Sequence, residues 1–125
     1  MRRIRSFRLA VLLVYSVGII YLACVSGQSL PKIAIPHLDK IIHLLEFVLL
    51  ASLAYWASVP YQKSDACKSL ILISLYGLIM AFITEAVQIY IPYRTFSLAD
   101  ILFDLIGYFC IVSLLHYQRG RHEAQ

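Results

Sequence analysis

The sequence predicts an all-α fold: a polytopic membrane protein built as an antiparallel bundle of four transmembrane helices, in a single domain covering residues 1–125. Three observations predict it. Hydrophobic residues make up 61% of the chain and charged residues only 14%, more apolar surface than one small soluble core can bury. Four apolar stretches, at 9–25, 41–59, 70–91 and 98–117, each approach the ~20 residues that a helix needs to cross about 30 Å of hydrocarbon. The links between them are short and turn-like, which pairs consecutive helices in opposite directions.

The first helix is expected over 9–25, behind the basic start "MRRIRSFR". This segment also has the outline of a secretory signal, with "YLAC" similar to a lipoprotein cleavage site. Tyr21 stands where such a site has leucine, however, and the apolar run is long enough to span, so an uncleaved helix is the better fit. The second helix, over 41–59, follows the link "SGQSLPKIAIPH" with Gly27, Pro31 and Pro36. The third, over 70–91, follows "VPYQKSDACK" with Pro60 and Asp65, and ends at Pro92, which has no N–H to continue the ladder. The fourth begins after "IPYRTFS", where Ser97 followed three residues later by Asp100 has the form of a capping box. Tyr55, Tyr61, Tyr90, Tyr93, Tyr117 and Trp56 fall near the expected membrane interfaces, as belt residues do.

The net charge of +4 comes from bases scattered around apolar runs. With no basic stripe and no aromatic platform, nucleic acid is not expected as a partner. Arg2, Arg3, Arg5, Arg8, Lys63, Lys68, Arg119 and Arg121 fall on one side of a four-span arrangement, with Lys32, Lys40 and Arg94 on the other. The positive-inside rule then places both termini in the cytoplasm. Cys24, Cys67 and Cys110 lack the paired spacing of a zinc or redox motif and read as buried structural thiols.

Asp39, Glu46, Glu85, Asp100 and Asp104 gather toward the opposite, outer half. At 1.5 Å per residue, Glu46, Glu85 and Asp104 lie about 8–11 Å below the surface, too deep for a short carboxylate to reach water freely. A charge at the bilayer centre costs about 2.5–3.5 kcal/mol, so such residues face partners or a polar cavity. Helical spacing puts Asp39, His43 and Glu46 on one side of the second helix, Glu85 and Gln88 on one side of the third, and Asp100 and Asp104 on one side of the fourth. Gly107 follows, where a missing side chain admits a neighbouring helix. Three polar stripes at similar depth predict one shared site. Arg94, in the turn, has a planar fork suited to Asp100 or to an anionic head group, and the spacing leaves both partners open.

The stretches "DKIIHLLEFVLLASL" and "TEAVQIYIPYRTFSLADILFDLIG" resemble the VanZ-like family of bacterial integral membrane proteins. That family's pattern is a histidine with an aromatic residue four positions on, then E-x2-Q, P-x-R, a small hydroxyl residue, D, N and G. The resemblance covers residues 39–107 and carries over to His43 and Phe47, Glu85 and Gln88, Pro92 and Arg94, Ser97, Asp100 and Gly107. Asp104 departs from it, since the family usually has asparagine there. Ile111 stands where a second glycine is expected. The resemblance implies a multi-pass protein of the bacterial inner membrane and cell envelope, the family's namesake being associated with lowered teicoplanin susceptibility. It implies no particular reaction.

The catalytic candidates are Glu85, Asp100 and His43, and the substrate-binding candidates are Arg94, Gln88, Asp104 and Ser97. No cofactor is predicted, although the His43 and carboxylate set has the donors for a divalent cation. Three function classes remain. One is a site that binds or modifies an anionic lipid or cell-envelope intermediate at the outer membrane face. Another is a small transporter or proton-coupled subunit, and the third is a structural protein whose polar cluster fixes helix packing. Membrane lipids are the expected surroundings, and the sequence leaves both catalysis and oligomeric state open. Ser97 has no adjacent base, so capping is expected of it before nucleophilic chemistry.

Overall fold

The computed structural model describes residues 2–25, 38–58, 66–92 and 94–123. The links expected at 26–37 and 59–65, together with Tyr93, lie outside the described residues. Four helices make up the fold: α1 (Arg2–Cys24), α2 (Leu38–Ser58), α3 (Ala66–Gln88) and α4 (Leu98–Glu123). All four are long and apolar enough to cross a membrane, and among the described residues there is no strand. The chain is therefore a multi-pass, all-helical membrane protein whose outward surface meets lipid. Leu13, Val14, Leu72, Ile79, Leu102 and Ile106 are all exposed, an arrangement that hydrocarbon rewards and water does not.

The helices begin and end a few residues away from the apolar runs. Helix α1 starts at Arg2 rather than 9, α3 starts at Ala66 rather than 70 and stops at Gln88 rather than 91, and α4 continues to Glu123 rather than 117. Backbone hydrogen bonding carries a helix through charged flanks, while hydropathy reports only the part immersed in hydrocarbon.

Consecutive helices pack antiparallel, as expected. Arg8 near the start of α1 meets the carbonyl of Trp56 near the end of α2 at 3.3 Å, with its guanidinium 5.0 Å from the Trp56 ring centroid. Deeper in the bundle the Tyr15 hydroxyl donates to the Glu46 carbonyl at 3.0 Å. Between α3 and α4, the Tyr108 hydroxyl donates to the Ile73 carbonyl at 2.8 Å.

Chain order is not the order around the bundle. The most extensive contact joins α2 to α4, while among the described residues α1 and α4 do not pack together. The starts of α2 and α4 lie together, so this pair is parallel. Gly107 explains the close approach: a Cβ there would lie 2.7 Å from the Leu44 carbonyl oxygen and 3.3 Å from Val48 Cγ2. Phe47, Leu50, Ala51 and Ala54 on α2 and Tyr108 on α4, all at most 1% exposed, fill the seam and its surroundings. On the other side, Ser16 of α1 and Tyr76 of α3 share a hydrogen bond through their hydroxyls. Ile111, where the family pattern has glycine, packs half-buried against the core.

Candidate functional site

The antiparallel alternation brings the start of α2, the end of α3 and the start of α4 to one end of the bundle, opposite the two termini. The sequence-predicted residues meet there. Glu85 and Asp104 are 0% exposed, Gln88 3%, Asp100 7% and His43 9%. In a chain of this composition, such burial of ionisable groups is costly unless each finds a partner.

The start of α4 anchors the arrangement. After α3, a turn closed by Tyr90 and Ile91 N–H groups on the Val87 and Gln88 carbonyls carries the chain to Ser97. The Ser97 hydroxyl accepts the Asp100 N–H at 3.2 Å, so Ser97 is the N-cap that the sequence predicts. The reciprocal half of the expected capping box differs. Glu85, not Asp100, accepts the Ser97 N–H, through Oε2 at 2.9 Å. A carboxylate from α3 thus caps α4, and the Asp100 side chain is released for other contacts.

Asp100 turns to α2. Lys40 Nζ donates to Asp100 Oδ1 at 3.0 Å and to Asp39 Oδ2 at 3.2 Å, bridging the starts of α2 and α4. One turn deeper, His43 Nδ1 lies 3.1 Å from Asp104 Oδ1. With the proton on Nδ1, the imidazole donates to Asp104 and keeps a lone pair at Nε2. Asp104, the position at which the family pattern has asparagine, therefore sets the ring of the neighbouring helix. Glu46 is half-buried, within electrostatic reach of His43, Asp104 and Arg94.

Arg94 does not pair with Asp100. Its Nε donates to the Val25 carbonyl at 3.4 Å, just beyond the end of α1, where unsatisfied carbonyls favour a cation. Lys40 takes the role at Asp100 that spacing alone offered to Arg94. Sequence reading missed Lys40 because it sits one residue off the stripe of Asp39, His43 and Glu46, and its partner is 60 positions away. A long, flexible stem that reaches across to a polar neighbour was the available signal. Thr84, 1% exposed beside Glu85, donates to the Met80 and Ala81 carbonyls and serves the helix itself.

The cluster does not satisfy itself. Glu85 Oε1 and Asp104 Oδ2 are buried with no hydrogen-bond partner among the described residues. An orphaned buried acceptor costs about 1–3 kcal/mol, more when charged. One ligand atom from each of His43, Glu85 and Asp100 falls within 4.8 Å of the others.

The family profile VanZ/LLP1 matches residues 4–117, nearly the whole chain, with α2, α3, most of α1 and α4, and the cluster inside it. The chain belongs to the VanZ/LLP1 family. It is also similar to an uncharacterized protein of Schizosaccharomyces pombe, 31% identical over 85 residues that cover 68% of this chain and 49% of that protein. The chain thus spans about half the length of the curated relative it matches. No solved structure matches it. Within this VanZ/LLP1 chain, the profile encloses every residue of the candidate site, from Asp39 to Asp104.

Proposed function

We propose that this VanZ/LLP1 protein binds the anionic headgroup of a membrane lipid or envelope intermediate at the outer face of the membrane, in the polar cluster of His43, Glu85, Gln88, Ser97, Asp100 and Asp104, with Lys40 and Arg94 at its rim. One observation carries the reading: Glu85 Oε1 and Asp104 Oδ2 are buried and unpartnered among the described residues. A cluster that existed only to lock helices together would be expected to pair its own acceptors. Groups left open at the end of a bundle, beside two cations, suit a ligand that carries both charge and hydrogen-bond donors.

The positive-inside rule supports the outer face, since Arg3, Arg5, Arg8, Lys68, Arg119 and Arg121 lie at the opposite end of the helices. In a bacterial host, the family resemblance makes teicoplanin susceptibility the phenotype to measure.

Native mass spectrometry of the full chain in nanodiscs holding equal anionic and zwitterionic phospholipid tests the reading. Wild-type protein is expected to retain anionic lipid preferentially, and Lys40→Ala and Arg94→Ala to lose that preference at unchanged folded yield. Retention in proportion to the bulk lipid would refute it.

A further inference from the structure

We infer that His43, Glu85 and Asp100 form a binding site for a first-row divalent cation of the Zn2+ or Mn2+ class, with Asp104 as the residue that orients the imidazole. The inference rests on the headgroup reading for the cation's role, which is to bridge a phosphate to an acidic site, but not for its binding.

Three observations support it independently of any lipid. The ligand atoms converge from three helices, all within 4.8 Å of one another. Bonds of about 2.0–2.2 Å place adjacent ligands on such an ion ~3 Å apart and opposite ligands on a six-coordinate ion ~4.0–4.4 Å apart, so the three side chains need to close by little. Glu85 is 0% exposed, and its Oε1 has no partner among the described residues, because only Oε2 is committed to the Ser97 N–H. An acceptor buried in this way calls for a cation or a proton. Finally, His43 Nδ1 is held by Asp104 Oδ1 at 3.1 Å, the carboxylate–histidine pairing that fixes the tautomer and raises the basicity of a metal-binding imidazole at its other nitrogen.

The donor set decides the class of ion. Two carboxylates alone would suit Mg2+ or Ca2+, but an imidazole in the set shifts the preference toward Zn2+ or Mn2+. Lys40 holds one oxygen of Asp100 and leaves the second for the ion. A divalent cation here also resolves the difficulty of an anion approaching an acid-rich cluster, since phosphate oxygens and carboxylates can share it.

The test uses the full chain in a neutral detergent, stripped with chelator and titrated with Mn2+ alone. Electron paramagnetic resonance is expected to report about one bound Mn2+ per chain, with nitrogen coupling from a coordinated imidazole. That coupling should disappear in His43→Gln and persist in His116→Gln, whose histidine is exposed toward the other end of α4. Asp104→Asn should keep the coupling while weakening binding about 10–100-fold, as loss of an orienting carboxylate does. Should His43→Gln fail to fold, the Asp104→Asn affinity decides: an unchanged value overturns the proposal. Absence of stoichiometric Mn2+ in the wild type, or nitrogen coupling that survives in His43→Gln, also overturns it. Because no anionic lipid is present, a negative result removes the cation and leaves the lipid-retention experiment to judge the headgroup reading separately.

Discussion

At the residue scale, Glu85 shows how one side chain can serve structure and chemistry with different oxygens. Oε2 takes the Ser97 N–H and completes the cap of α4, while Oε1 is left buried and open. The two duties are separable by substitution. Glu85→Gln keeps a carbonyl oxygen for Ser97, so its folded yield should match the wild type while ligand binding falls. Ser97→Ala should instead cost about 1 kcal/mol, the usual value of a lost N-cap, measured as a lower SDS-unfolding midpoint. Ser97, Glu85 and Asp100 were all legible from spacing as a group near the start of a helix. Their pairing was not, because a capping box is a local pattern, and here its acidic half comes from a helix 12 residues upstream.

At the scale of the elements, the parallel seam between α2 and α4 positions Lys40 against Asp100 and His43 against Asp104. Gly107 makes that seam close. Gly107→Val would press a branched side chain onto the Leu44 carbonyl, already 2.7 Å from where a Cβ would sit, and should destabilise the bundle by roughly 1–3 kcal/mol. The variant should also separate His43 from Asp104, so ligand binding and stability fall together. Gly77→Ala meets a comparable obstacle, its Cβ falling 2.6 Å from Tyr108 Cδ1. Hydropathy revealed that four helices exist and roughly where. It carried no information on which of them are neighbours, because α2 and α4 are equally apolar whether they touch or not. The small residue at 107 was the one legible hint of a close contact, and it named no partner.

At the scale of the whole molecule, the even number of spans places the termini at one end and the cluster at the other. Cys24, Cys67 and Cys110 are exposed rather than buried as expected, because each falls on an outward helix face, and Cys24 at the end of α1 and Cys67 at the start of α3 mark the two ends. A membrane-impermeant thiol reagent applied to intact cells should label Cys24 and reach Cys67 only after permeabilisation; the reverse pattern would invert the topology. On the proposed reading, the cluster is kept for a ligand and at some expense to stability, not as a lock on helix packing. Replacing a buried polar network by apolar groups of similar volume is neutral or stabilising, by ~1–4 kcal/mol, when the network is not what holds the fold. The double variant His43→Leu with Asp104→Ala nearly conserves side-chain volume and removes the deepest pair. Its SDS-unfolding midpoint decides between a ligand site and a packing lock: a value equal to or above that of the wild type is expected, and a loss of more than ~2 kcal/mol would overturn the ligand reading.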